Sequence, residues 1–174
     1  DNDFVSYFYE GVAQVELECK YNFIDTNGEL LWKEDNWFDD VKDFRYGFAP
    51  VKIEGKGWNF INHQGELLWK EEEWLNDASY FSEGFAKVKI EGKGWNFINT
   101  QGELVLKEDK WFDDASIFSE GYAFVKIEGK GWNLINEQGE LVWKEYKRFD
   151  SISIFWHGFA WVYIEGKGWN FINH

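Results

Sequence analysis

Four side chains near the C-terminus combine chemistries that could engage a partner. Trp156, His157, Trp161 and Tyr163 fall within one short stretch. Indole and phenol rings stack on apolar or sugar surfaces, and imidazole can donate or accept a hydrogen bond. Trp161 and Tyr163 are two apart, so on a strand they share one face. The usual catalytic sets do not occur in the sequence. His63, His157 and His174 share no zinc-ligand spacing with one another or with Cys19. No Gly-x-Ser-x-Gly elbow and no phosphate-binding loop occurs. The 32 acidic residues offer many carboxylate pairs, but nothing singles one out as a glycosidase pair. Asp39-Asp40, Asp77, Asp113-Asp114 and Asp150 recur at one point of a repeating pattern. They could cap turns or hold calcium, although no Asp-x-Asp-x-Asp-Gly loop is present. The sequence therefore assigns no catalytic residue, no metal and no cofactor.

The elements that must position these residues come from a tandem repeat. GFAPVKIEGKGWNFIN begins at Gly47, and close copies begin at Gly84, Gly121 and Gly158, each 37 residues after the last. An older-looking copy begins at Gly11, 36 residues before Gly47, with one residue lost from its hairpin turn. In the Gly84 unit, Ala86, Val88 and Ile90 alternate with Lys87, Lys89 and Glu91, a period of two. Glu91-Gly92-Lys93-Gly94 reads as a tight turn, and Trp95 to Asn99 as the returning strand. Thr100 to Glu103 is a second turn, Leu104 to Leu106 a third strand, and Ala115 to Phe118 a short fourth strand. No helical apolar stripe occurs. The sequence predicts one all-β repeat domain over 1–174, three or four antiparallel strands per unit, with the last unit incomplete. A β-propeller-like stack is expected, with an open β-solenoid as the alternative. Lys87, Lys89 and Glu91 on the second face of a mid-blade strand weigh against the propeller.

Phe81-Ser82-Glu83-Gly84, Trp95, Ile98-Asn99, Gly102-Glu103-Leu104 and Phe112-Asp113-Asp114-Ala115 occur in that order. This pattern resembles the bacterial WG-repeat (KWG-repeat) family along essentially the whole chain. It departs at one point: the family places Gly after the Trp, whereas Asn59, Asn96, Asn133 and Asn170 follow it here. The resemblance implies a bacterial tandem β-repeat with no general activity, and leans towards a cell-surface or periplasmic setting. It supplies no catalytic residues.

Most of the 12 Trp are in repeat register, which predicts packing between units, with Trp95 and Trp132 largely buried. The last unit breaks register. Trp156 stands where other copies have Ser82 and Ser119, and His157 replaces Glu83 and Glu120. Trp161 replaces Pro50, Lys87 and Phe124, and Tyr163 replaces Lys52, Lys89 and Lys126. This face is expected to meet a neighbouring unit, a closing strand or a partner. Should a ring close, it would meet Phe4 to Val15.

Composition narrows the partner. With 18 basic against 32 acidic residues the net charge is −14, which repels nucleic acid and anionic membrane surfaces. No apolar run is long enough to insert in a membrane. One Cys permits no internal disulfide. The absence of Met and the start at Asp1 predict a processed form or a fragment. The expected function is a non-enzymatic scaffold for protein–protein interaction or self-association, with carbohydrate binding as the alternative.

Overall fold

The computed structural model describes residues 4–70, 72, 74–106 and 111–174. The described residues form strands and turns, with no helix among them. Five antiparallel sheets follow one another, each three strands in sequence order. The first holds β1 (Phe4–Val5), β2 (Val12–Leu17) and β3 (Lys20–Asp25); the second β4 (Asp40–Val41), β5 (Phe48–Ile53) and β6 (Gly57–Asn62). The third holds β7 (Asp77–Ser82), β8 (Phe85–Ile90) and β9 (Gly94–Asn99). The fourth is β10 (Asp114–Ala115), β11 (Tyr122–Ile127) and β12 (Gly131–Asn136); the fifth is β13 (Ser151–Ile152), β14 (Phe159–Ile164) and β15 (Gly168–Asn173).

Within each sheet a short lead strand pairs with the first arm of a hairpin. In the third sheet Lys89 opposes Trp95, and Val88 opposes Asn96. The fourth strand expected at Ala115 to Phe118 is only Asp114–Ala115 in extent, and it leads the next sheet instead of ending its own. The expected third strand reduces to single bridges, Ile24 to Leu30, Ile61 to Leu67, Ile98 to Leu104 and Ile135 to Leu141. A buried asparagine accounts for that shortness. Asn59 Oδ1 accepts the backbone N–H groups of Phe60 and Trp69 at 2.8 and 3.0 Å, while its Nδ2 donates to the Trp69 carbonyl at 2.9 Å. Asn22, Asn96 and Asn133 repeat these bonds with Trp32, Leu106 and Trp143. A side chain thus does what a longer ladder would do, and no buried polar group in it is left unpaired.

The core lies between sheets. Four buried clusters serve four junctions. Each contains one phenylalanine from the following sheet's lead segment: Phe44, Phe81, Phe118 or Phe155. Phe81 reaches back to Phe48 and Phe60, with ring centroids at 4.8 and 5.1 Å. Phe118 repeats this with Phe85 and Phe97 at 4.6 and 5.0 Å. Turn glycines press on the sheet before. A Cβ on Gly102 (φ +79°) would stand 2.7 Å from the Leu68 carbonyl oxygen. The sheets thus stack face on face like propeller blades. Among the described residues no ladder joins the first sheet to the fifth. Phe4, Val5 and Phe8 at one end are exposed, as are Trp156, Trp161 and Phe171 at the other. The stack is open, and the last unit does not meet Phe4 to Val15.

Lys87 shows how charge is tolerated mid-sheet. Its stem is half-buried, its ammonium lies 4.0 Å from the Trp95 ring centroid, and Nζ donates to the Ala115 carbonyl of the next sheet at 2.9 Å. Burial holds this ammonium below the ordinary lysine range, and the Asp114 and Asp77 carboxylates offset part of that.

Candidate functional site

Three kinds of contact recur at the junctions, and all start from one face of a sheet. The first is the phenylalanine seat just described. The second is a carboxylate clamp. The Glu83 carboxylate accepts the N–H groups of Glu120 and Gly121, both at 2.8 Å. Glu10 does the same for Tyr46 and Gly47, and Glu120 accepts from Gly158 at 2.7 Å. The third is a serine hydroxyl, Ser82 or Ser119, donating to the carbonyl of Phe118 or Phe155. At the second junction, Tyr46 occupies the clamp position, and Arg45 lies over the Tyr80 ring at 4.5 Å.

The sequence-predicted site falls on that same face of the fifth sheet. Phe159, Trp161 and Tyr163 of β14 stand on one side of the sheet with Trp169 and Phe171 of β15. Trp161 meets Phe171 edge-on at 5.5 Å, and Tyr163 lies 5.3 Å from Trp169. Trp156, Phe159, Trp161 and Phe171 line a shallow concavity of about 310 Å³. His157 stands outside it, in a turn at φ 53°, with its ring edge-on to Trp156 at 5.0 Å. Tyr163 is half-buried and does not line the concavity. The structure therefore brings Trp156 and Trp161 together, sets His157 at their edge and displaces Tyr163 towards Trp169.

Phe159, Trp169 and Phe171 belong to this face and were not among the residues predicted from sequence. Their copies are buried or half-buried, so in sequence they read as core. Phe60 and Phe97 are both 0% exposed, whereas Phe171 is 57% exposed. Trp58 and Trp132 are buried, Trp95 is partly buried, and Trp169 is 61% exposed. The signal that could have found them is the strand period: they lie on the same face of the hairpin as Trp161 and Tyr163.

The remaining candidates have structural roles. Asp39, Asp113 and Asp150 each accept a backbone N–H from the hairpin turn 15 residues on, at Glu54, Glu128 and Glu165. Asn76 makes the equivalent bond to Glu91. Asp77 and Asp114 accept from the N–H of the following alanine. Asp39, Asp113 and Asp150 thus cap turns, while Asp77 and Asp114 bond locally at the start of their lead strands. Cys19 is exposed and, with Glu18, forms the positive-φ corner of the shortened hairpin. Among the described residues no three His, Cys, Asp or Glu side chains group as a metal would require. The internal Trp rings are also occupied: Lys42 covers Trp58 at 4.5 Å, and Lys126 lies 5.5 Å from Trp132.

Comparison with known proteins agrees with this geometry. The model of the WG containing repeat matches residues 38–56, which hold β4 and β5, residues 75–93, which hold β7 and β8, and residues 95–130, which run from β9 through β11. No curated protein matches the chain. Among solved structures, the computationally designed Ika8 protein aligns over 97% of this chain and 58% of its own, at 10% identity and a TM-score of 0.54. Hsv2 of Kluyveromyces lactis aligns over 92% of this chain and 56% of its own, at 8% identity and a TM-score of 0.51. The chain thus spans little more than half the length of either, and the likeness concerns the fold alone. A repeat model that matches three times along this stretch shows that residues 38–56, 75–93 and 95–130 carry WG-containing repeats.

Proposed function

We propose that this chain is a non-enzymatic repeat scaffold that binds protein through the outer face of its fifth sheet. One observation carries the reading. Phe159, Trp169 and Phe171, whose earlier copies are buried or half-buried, are exposed together on this face, and two positions that are Ser and Glu at the third and fourth junctions have become aromatic or imidazole at Trp156 and His157. Exposed apolar clusters of this kind mark interaction sites. The turn-capping role of the acids and the lysines over the internal indoles support a scaffold in preference to an enzyme or a repeated sugar platform. The test is a photo-crosslinker installed at position 163 of the chain in its producing cells, with the same group at position 89 as control. Protein adducts at 163, absent at 89 and lost with Trp161→Lys/Phe171→Lys, are expected. Calorimetric titration against a glycan panel is the counter-test: saturable sugar binding that disappears in Trp161→Ala would overturn the reading.

A further inference from the structure

We infer that the cleft between the outer edges of the third and fourth sheets binds a small planar aromatic molecule of indole size that carries no negative charge. The site is separate from the aromatic face of the fifth sheet and goes beyond the proposed function. It starts from one substitution inside the repeat. Trp32, Trp69 and Trp143 share one repeat position, and the third copy has Leu106 there. The backbone is held alike in both cases. Asn96 pairs with the Leu106 N–H and carbonyl at 3.2 Å each, as Asn59 does with those of Trp69 at 3.0 and 2.9 Å. A leucine on the same backbone fills only part of the space of an indole.

What the indole covers elsewhere is uncovered here. Trp32 shares the cluster of the first junction with Leu67, and Trp69 that of the second with Leu104; both leucines are half-buried. Their copy Leu141 is 49% exposed and lies outside the cluster of the third junction. The following connection withdraws a second ring. Trp74 packs against the first junction's cluster, and the residue two repeats on is Arg148, which is exposed. The same connection is slipped by two residues. Trp58 bridges Leu75 and Trp95 bridges Phe112, but Trp132 bridges Lys147, although Phe149 is the copy of Phe112. The slip brings Tyr146 to this junction, where burial pushes its phenol above the ordinary tyrosine range. The result is a cleft of about 540 Å³ whose walls include Leu106, Trp111, Leu141 and Tyr146, with Gln138 and Glu140 as polar groups. That volume lies in the roughly 300–1,000 Å³ range of small-molecule sites. Walls of this kind suit a flat ring, whose faces stack on rings and whose N–H finds an acceptor in Gln138 or the Tyr146 hydroxyl. The Glu140 carboxylate in the wall and the net charge of −14 turn away an anion.

The test is fluorine NMR of a fluorinated indole titrated with the 174-residue chain. Saturable broadening is expected. Unlabelled indole and tryptamine should reverse it, and indole acetate should do so about tenfold less effectively, because its carboxylate meets Glu140. Leu106→Trp puts the indole of the other copies into the cleft; it should keep the fold, raise the thermal midpoint and abolish the broadening. Leu141→Asp alters an exposed position, so it should fold and abolish the broadening too, and it decides the matter if Leu106→Trp does not fold. Trp161→Lys/Phe171→Lys, on the fifth sheet, should leave binding unchanged. A wild type that shows no saturable binding would overturn the inference. So would binding that survives Leu106→Trp or Leu141→Asp, binding lost with the fifth-sheet pair, or indole acetate displacing the probe better than indole. Protein binding at the fifth sheet can fail without touching this result, since the two sites share no residue.

Discussion

Phe124 lies flat on Phe155, ring centroids 5.1 Å apart and planes 13° from parallel. The pair joins the fourth sheet to the fifth. Trp161 has the position of Phe124 one repeat later and is 55% exposed. The difference between a core residue and a candidate binding residue is here one of place in the stack, not of side-chain type.

Junction phenylalanines should therefore carry stability only where they are covered. Phe118→Ala removes a ring that is 1% exposed and should cost about 3–5 kcal/mol. Phe8→Ala, at the same repeat position but exposed, should cost under about 1 kcal/mol. Urea denaturation of the two variants checks this; equal losses would mean that the junctions do not hold the core.

The buried asparagines give a second internal control. Asn96→Ala strands the N–H and carbonyl of Leu106 and should cost about 2–4 kcal/mol, since each unsatisfied buried group costs about 1–3. Asn170, exposed and accepting only the Phe171 N–H among the bonds its copies make, should tolerate Ala within about 0.5 kcal/mol. Thermal unfolding would show the difference as a lowered midpoint in Asn96→Ala alone.

Backbone approach can be separated from backbone strain at two glycines. Gly28 and Gly102 have φ of +81° and +79°, so Ala at either carries about 1–2 kcal/mol of left-handed strain. Only at Gly102 does the new Cβ meet the preceding sheet, 2.7 Å from the Leu68 carbonyl oxygen. Gly102→Ala should thus destabilise clearly more than Gly28→Ala. Equal midpoints in denaturant would show that stacking does not depend on this close approach.

Acid sensitivity should pass through Asp39. The Glu54 N–H, and after it the Lys20 ammonium, hold its carboxyl below the ordinary aspartate range. The folded value is thus below the unfolded value of about 3.9. The stabilisation is fully present above that pH and is lost as pH falls through the folded value. Asn76 already makes the equivalent bond in the third sheet, so Asp39→Asn keeps the fold. The variant should be less stable at pH 7 and lose less on acidification than the wild type. Parallel pH profiles would assign the acid loss to other groups.

Much of this was legible in the sequence, because period-two alternation and paired glycines at fixed spacing define hairpins locally. The 37-residue step and the turns at Glu91 to Gly94 are of that kind. What a strand pairs with is not local. The lead segment at Asp114 joins the strand that follows it, and Leu104 keeps only a bridge because Asn96 takes over its neighbours' bonds. Trp156 and Trp161 could be found because they break register. Phe159 and Phe171 could not, because they keep it, and a residue in register looks the same in sequence whether it is covered or exposed.

Hydroxyl-radical footprinting of the wild-type chain reads the aromatic face of the fifth sheet against the internal copies of its residues in one experiment. Trp161 and Trp169 should oxidise readily while Trp58 and Trp132 stay protected, following their burial. Trp161 and Trp169 protected as strongly as Trp58 and Trp132 would contradict an aromatic face exposed on the fifth sheet.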